Sequence, residues 1–211
     1  MYITWLGQAC FKIQGKEVTI ITDPYDNKLG IKLPRLTGDI LTVSHNHYDH
    51  NNTKAVSGNP FIIETAGEYE IKGVFIQGIS SWHDAKEGTE RGNNTIFLFE
   101  IEEVKIAHLG DLGTTLSDEQ LDKLEGIDVL LIPVGGIYTI DGKQAAAVIS
   151  QIEPRIVIPM HYKIPGLKEK LQTVDKFCDE MGVKQNGVED KIRITKKDLP
   201  VEETKVIILK P

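Results

Sequence analysis

The feature that most constrains this chain of 211 residues is a run of metal-binding side chains, His45-Asn46-His47-Tyr48-Asp49-His50. Imidazole nitrogens and carboxylate oxygens are ligands that borderline cations such as Zn²⁺ prefer. The preceding residues 39–43 have the pattern of a short buried strand, so the run is expected at a strand's carboxyl end. On an extended chain His45 and His47 project to the same side, whereas Asp49 and His50 can turn away and serve a second ion. A polar loop is the plain alternative, but the clustered spacing favours a metal site.

Other candidate ligands also follow apolar, strand-like runs. Asp23 follows the run 18–22, His83 lies between an apolar strand and a polar loop, and His161 follows the run 156–158. The strand-like run 104–107 brings both His108 and Asp111 into one turn, where they compete for a metal-binding role. Taken singly, each could be an ordinary turn or surface residue.

The pattern His45-x-His47-x-Asp49-His50, with Asp23 before it and His83, Asp111 and His161 after it, resembles the metal motif of the metallo-β-lactamase superfamily. The resemblance runs from Met1 through the final strand. It is strongest to a small branch of predicted Zn-dependent hydrolases that includes ascorbate-6-phosphate lactonase. Residues 110–113 and 133–136 are similar to turns of that branch. The resemblance implies a four-layer αββα sandwich, a more specific fold than the α/β or α+β class that periodicity alone indicates.

The resemblance also implies a role for each candidate. His45, His47 and His83 would bind one ion, Asp49, His50 and His161 the other, and Asp111 would bridge the two. Asp23 would orient a ligand imidazole or a water without binding metal itself. His108 is left out of the ligand set, and the substrate-contacting roles of Tyr138, Lys163 and Arg91 stay open.

This ligand set predicts two divalent cations, zinc in the first place with manganese as the alternative, roughly 3.5–4 Å apart. Such a pair activates a bridging water, and we expect hydrolysis of a small lactone, ester or phosphate-bearing substrate, with Asp49 and Asp111 as the catalytic carboxylates. The alternatives are a phosphodiesterase or nuclease on the same scaffold and a non-hydrolytic metal-binding or redox protein. The complete His-x-His-x-Asp-His motif favours zinc hydrolysis over iron redox chemistry. No Gly-x-Ser-x-Gly motif or phosphate-binding loop is present in the sequence.

The composition of the chain limits the classes of molecule that it is expected to bind. The net charge of −7 argues against broad affinity for nucleic acid or anionic membranes, so a small molecule is the expected partner.

The length predicts one domain covering residues 1–211. Two scattered cysteines, Cys10 and Cys178, suit a reducing compartment. With neither a signal-peptide pattern nor an apolar run of the ~20 residues that span a bilayer, a cytoplasmic protein is expected. A homo-oligomer is left open.

Strand-like runs fill the first hundred residues, and helices are expected in the second half. Ser117 and Gln120 form a capping-box pattern before one helix. Asp141 precedes a second helix with an apolar face that Pro154 ends. A third helix is predicted to carry one apolar stripe, and residues 206–209 a final strand. The stripe consists of Leu167, Leu171, Val174, Cys178 and Met181.

Overall fold

The computed structural model describes residues 1–184 and 188–211. Its strands in chain order are β1 (Tyr2–Gly7), β2 (Cys10–Gln14), β3 (Thr19–Thr22), β4 (Leu36–Thr37), β5 (Ile40–Thr42), β6 (Val56–Ser57), β7 (Phe61–Ile63), β8 (Gly67–Ile71), β9 (Val74–Trp82), β10 (Asn93–Ile101), β11 (Val104–His108), β12 (Val129–Pro133), β13 (Ile156–Met160), β14 (Ile192–Arg193) and β15 (Lys205–Val206). The α-helices are α1 (Asp118–Lys123), α2 (Gly142–Ile152) and α3 (Val174–Glu180). Short 3₁₀ helices cover Asn27–Leu29, Thr53–Ala55 and Lys196–Asp198.

The strands form two large mixed sheets. The first has the order β14-β1-β2-β3-β5-β7, and the second has the order β15-β13-β12-β11-β10-β9-β8, while β4 and β6 pair separately. The antiparallel and parallel pairings give β1, β3 and β5 a common direction. In the second sheet, the strand pairings likewise give one common direction to β9, β11, β12 and β13. Each sheet therefore gathers the carboxyl ends of several strands at one edge, where loops that carry function commonly lie.

One hydrophobic cluster joins both sheets with α2 and α3. Every residue of β5, β12 and β13 is buried. Strands that are apolar throughout are typical of sheets covered on both faces. This burial explains why their sequences read as continuous apolar runs, and it agrees with the predicted sandwich, in which sheets lie between helices.

The first two helices begin where local capping predicts. The Ser117 side chain and the Gln120 side chain form reciprocal hydrogen bonds with backbone N–H groups at the start of α1, and Asp141 and Gln144 do the same at α2. The buried face of α2 is the predicted one, containing Ala145, Val148, Ile149 and Ile152. None of the helices that the structure describes has the length and apolar character needed to cross a membrane.

The predicted third helix is wrong over its first half, because α3 begins only at Val174. The backbone of the preceding loop forms hydrogen bonds with distant loops: the Lys168 N–H donates to Leu29 O at 2.8 Å, and the Gln172 N–H donates to Gly135 O at 2.8 Å. Leu167 and Leu171 are nevertheless buried. Their helical spacing therefore reflects a loop packed on the core.

The predicted final strand 206–209 is also shorter than expected. Only Lys205–Val206 pair as β15, although the Ile207 N–H still donates to Val157 O. Leu209 instead forms an isolated bridge with Glu189. Cys10 and Cys178 are free and buried, as predicted.

Candidate metal centre

The strand ends described above carry all seven predicted metal ligands to one place. Residues 45–50 follow β5, His83 follows β9, Asp111 follows β11 by three residues, and His161 follows β13 directly. Two groups result, and within each the potential ligand atoms lie within 4.8 Å of one another. The three-histidine group consists of His45, His47 and His83. The carboxylate group consists of Asp49, His50, Asp111 and His161.

Asp111 lies where the two groups meet. Its Oδ2 atom is 3.2 Å from His50 Nε2, 3.3 Å from His161 Nε2 and 3.4 Å from His83 Nε2. The same oxygen is 4.0 Å from His45 Nε2. One carboxylate oxygen thus faces ring nitrogens of both groups, the arrangement expected of a bridging ligand.

Unpaired polar atoms support a metal at this position. His50 Nε2 and Asp111 Oδ1 are buried, and neither forms a hydrogen bond of acceptable geometry with the described residues, although His50 Nε2 lies close to the Asp111 carboxylate. Buried polar atoms are rarely left unpaired because desolvation without a partner costs free energy. Imidazole nitrogen and carboxylate oxygen are both ligands of zinc, so the donor set fits a divalent cation.

Asp23, predicted to orient a ligand, lies fully buried beneath both groups. Its Oδ2 is 2.9 Å from His50 Nδ1 and accepts the Ser44 hydroxyl at 2.6 Å. Because the Ser44 hydrogen goes to the carboxylate, Ser44 Oγ accepts from His45 Nδ1–H at 2.9 Å. His45 Nε2 then keeps its lone pair, facing the site. Asp23 therefore orients one imidazole directly and another through Ser44.

The electrostatics keep several of these groups in the protonation states that metal ligands need. Burial, together with the charge of His50, lowers the pKa of His45 to about 3, and burial also lowers the pKa of His83. Burial opposes ionisation of Asp49 and Asp111, but the surrounding imidazoles outweigh it and lower both carboxyl pKa values. Burial likewise opposes charge on His50, yet the carboxylates of Asp111 and Asp49 raise its pKa well above the ordinary value. The carboxylates around His50 thus attract positive charge.

His108 lies fully buried outside both groups. Its Nε2 donates to Ala9 O at 2.8 Å, and its Nδ1 accepts the Gly110 N–H at 3.2 Å. Both ring nitrogens are therefore engaged in holding the turn that leads to Asp111. This geometry agrees with its exclusion from the ligand set.

Sequence reasoning missed Gln8, which the turn between β1 and β2 brings to the same edge. Its side-chain Nε2 lies 3.2 Å from Asp49 Oδ2 and 3.3 Å from His161 Nε2. Its carbonyl accepts the His161 N–H at 3.0 Å. Gln8 and His161 both have positive φ angles, 49° and 52°, a strained conformation that is often found at functional sites. A polar residue in an otherwise apolar turn, Gly7-Gln8-Ala9, was the available signal.

Asn94 was also missed. Its Oδ1 accepts the Asp111 N–H at 2.9 Å, while its Nδ2 donates to Ser81 Oγ and to Leu109 O. This buried amide fixes the backbone that presents the Asp111 carboxylate. Its position in the run Arg91-Gly92-Asn93-Asn94, which has the composition of an ordinary turn, offered no sequence signal of that role.

A cavity of about 430 Å³ opens onto the site. Its lining residues are His47, Tyr48, Asp49, His83, Glu90, Arg91, Asp111, Tyr138 and Glu169. Two of the three suggested substrate contacts, Tyr138 and Arg91, are among them. Lys163 is not, because its Nζ donates to the carbonyls of Leu167 and Glu169 and so holds the loop before α3.

The paired sheets and the histidine-carboxylate cluster at their edge are those of a metallohydrolase. A family model, the β-lactamase superfamily domain, matches residues 2–161, and the chain belongs to this superfamily. The predicted α/β metallo-β-lactamase fold is thereby confirmed.

Individual relatives support the assignment to this superfamily. A UPF0173 metal-dependent hydrolase from Thermococcus onnurineus is 32% identical, and the match covers 76% of this chain and 84% of that protein. A crystal structure from Thermotoga maritima, proposed to be a Zn-dependent hydrolase of the metallo-β-lactamase superfamily, superposes with a TM-score of 0.79. It is 37% identical and covers 99% of this chain and 97% of its own. The chain is therefore a metal-dependent hydrolase of this superfamily.

A more distant structure shows the same fold. An isothiocyanate hydrolase from Delia radicum gut bacteria superposes with a TM-score of 0.68 at 15% identity, covering 92% of this chain and 99% of that one. At this level of identity the likeness concerns the fold alone, and a fold does not specify a substrate.

Proposed function

We propose that this hydrolase works with two divalent cations, zinc in the first place, and cleaves a small ester, lactone or phosphate ester. The observation that carries the proposal is the position of Asp111 Oδ2, within 3.2–4.0 Å of ring nitrogens from both ligand groups. His45, His47 and His83 would hold one cation, and Asp49, His50 and His161 the other, with Asp111 shared. Cations held in this way lower the pKa of a water and polarise the oxygen of the bond under attack.

The protein's own groups prepare the site for that chemistry. Asp23 and Ser44 fix the ring of His45 so that Nε2 faces inward. Gln8 donates to Asp49 Oδ2, which leaves the other carboxylate oxygen free to turn toward a cation or a reacting water. Ligand rings held by such hydrogen bonds keep their orientation when the substrate arrives.

The cavity supports water as the nucleophile and a small molecule as the substrate. Its described lining contains no serine, threonine or cysteine. Cys10 is buried, and burial raises the pKa of its thiol well above the ordinary value, so that it is a poor nucleophile. A volume of about 430 Å³ lies within the range of small-molecule sites.

Metal analysis of protein purified without chelator tests the first part of the proposal. We expect two equivalents of zinc per chain, because the two ligand groups are complete. Removing both with a chelator should lower Tm by roughly 10–20 °C, since losing each ligand present at about 100 times its Kd accounts for roughly 5–10 °C. A single equivalent that cannot be increased by added metal would contradict the dinuclear proposal.

A substrate panel tests the second part. Lactones, carboxylic esters, phosphomonoesters and cyclic phosphodiesters should be offered to the metal-loaded protein in ¹⁸O water. We expect turnover in at least one of these classes, with the label in the product and none in a protein carboxylate. Labelled Asp or Glu would contradict direct attack by water.

A further inference from the structure

The charged side chains that line the cavity differ in whether they have a partner within the protein. Two glutamates that line it have partners: Glu169 accepts the Tyr48 hydroxyl, and Glu90 lies 2.6 Å from Lys86 Nζ as an ion pair. Arg91 is the single lysine or arginine of the described lining. In the part of the chain that the structure describes, no carboxylate lies within ion-pair distance of its guanidinium. A half-buried cation without a counter-ion favours an anion from outside.

The backbone that carries Arg91 is held firmly. The buried carboxylate of Asp84 accepts four backbone N–H groups of the following loop. The donors are Lys86 at 2.8 Å, Gly88 at 3.1 Å, Glu90 at 3.1 Å and Arg91 at 2.8 Å. Because Asp84 follows His83 directly, this network ties the position of Arg91 to a residue of the three-histidine group. Such a fixed loop lowers the entropy lost when a ligand binds.

The Arg91 side chain is oriented as well. Its guanidinium carbon lies 5.6 Å from the centre of the Tyr138 ring, a cation–π distance. Tyr138 comes from the loop after β12, whereas Arg91 comes from the loop after β9, and β10 and β11 lie between these two strands in the second sheet. Stacking on one face leaves the N–H groups at the rim of the guanidinium available for a planar or tetrahedral anion.

We propose that Arg91 is the specificity residue of this cavity, and that the substrate carries a carboxylate or phosphate group in addition to the bond that is cleaved. This inference rests on the proposed hydrolytic function. The reacting bond would lie at the histidine-carboxylate cluster, while the second, anionic group is bound by Arg91. The substrate class is thus a small anionic ester or lactone.

Matched substrates test the inference with metal-loaded protein. Phenyl hydrogen succinate carries a free carboxylate, phenyl succinamate is its neutral counterpart, and phenyl 3-phosphonopropionate replaces the carboxylate with a phosphonate. For the wild type, we expect kcat/KM for an anionic ester to exceed that for the neutral ester at least tenfold. Arg91→Gln should remove this preference, mainly by raising KM, and Arg91→Lys should restore part of it.

Lys143→Gln is the control, since Lys143 is an exposed cation of α2 that lies outside the cavity lining. It should keep the preference within about twofold, and both Arg91 variants should retain the wild-type metal content. The ester on which Arg91→Gln has the larger effect identifies the anion as a carboxylate or a phosphate. Equal loss on anionic and neutral esters, or no loss on either, would overturn the inference.

A binding measurement keeps this test independent of the proposed hydrolysis. Calorimetric titration of metal-loaded protein with succinate, 3-phosphonopropionate and butyrate compares two dianions with a monoanion. We expect at least one dianion to bind at least tenfold more tightly than butyrate in the wild type, and this difference to vanish in Arg91→Gln. No turnover of any ester would count against the proposed reaction alone. Equal binding of all three compounds would count against the Arg91 assignment.

Discussion

The three-histidine group and the carboxylate group lie side by side but differ in charge and burial. His45 and His83 are buried, but His47 is partly exposed and lines the cavity. In the carboxylate group His50, Asp111 and His161 are at most 2% exposed, whereas Asp49 is half-buried and lines the cavity. The first group consists of imidazoles alone, whereas the second contributes two carboxylates. An anionic site attracts a cation more strongly than a neutral one.

The two groups also differ in how Asp23 supports them. Asp23 contacts His50 directly, but it reaches His45 only through the Ser44 hydroxyl. A change at Asp23 should therefore affect both groups, and a change at Ser44 only one. The comparison shows how a single buried carboxylate can support two groups of candidate ligands to different extents.

The largest effect is expected at the residue that both groups share. Asp111→Ala should lose both metals or bind them only weakly, and activity should fall at least about 10²-fold, because the proposed bridge is removed. His47→Ala should lose only the metal of the three-histidine group. Both variants are compared with the wild type by their metal content and kcat/KM, and Asp122→Ala serves as a surface control. Equal metal loss in Asp111→Ala and His47→Ala would remove the distinction between the groups.

The next effect is expected for Asp23→Asn. Asp23 Oδ2 faces both His50 Nδ1 and the Ser44 hydroxyl, while Asp23 Oδ1 accepts the Ser44 N–H at 2.7 Å. An asparagine has only one acceptor oxygen, so its NH₂ group must face a donor at one of these two positions. Metal affinity should fall by about 10–100-fold in both groups, as for other residues that orient ligands. Competition with a chromophoric chelator measures the two affinities. An unchanged affinity at both positions would show that Asp23 has no orienting role.

Ser44→Ala should have a smaller and one-sided effect. It removes the hydroxyl that links His45 to Asp23 while leaving the His50–Asp23 contact in place. We expect the affinity of the three-histidine group to fall by up to about tenfold. The carboxylate group should keep its affinity within about twofold. Cobalt substitution with absorption spectroscopy can follow the two positions separately. Equal weakening of both would mean that Ser44 supports the site as a whole.

The smallest effect on metal is expected for His108→Ala. His108 touches neither group, so both metals and measurable turnover should be retained. Stability should fall by about 1–3 kcal/mol, because the Gly110 N–H loses its acceptor inside the protein. Metal analysis shows whether both metals are retained, and urea denaturation measures the change in stability. If His108→Ala released the metals while Asp111→Ala kept them, the roles assigned to the two residues in this turn would be reversed.

Much of the site was predictable because its parts have local signals. The run from His45 to His50 follows a short apolar strand, and Asp23, His83 and His161 each follow another. Residues at the ends of parallel strands meet at one sheet edge, so even the gathering of distant ligands followed from the pattern once the fold was inferred. Helices α1 and α2 were predictable for the same reason, since their capping boxes connect residues only three apart.

The predictions that failed concern residues whose hydrogen-bond partners lie far away in the sequence. The run from Leu167 to Gln172 has helical spacing, yet its backbone bonds to Leu29 and Gly135. A packed loop and a helix can bury the same apolar residues, and the sequence pattern does not distinguish them. Lys163, suggested as a substrate contact, instead holds that loop.

The sequence by itself therefore determined the types of the candidate ligands, their order and the strands that deliver them, because each is encoded within a few neighbouring residues. Only the tertiary structure decided that Asp111 Oδ2 faces both groups, that Gln8 donates to Asp49, and that Arg91 is left without a counter-ion in a cavity whose glutamates are paired. Apart from the pairing of Glu90 with Lys86, those relations depend on residues separated by tens of positions. They depend on strand order, register and side-chain direction, which local patterns leave undetermined.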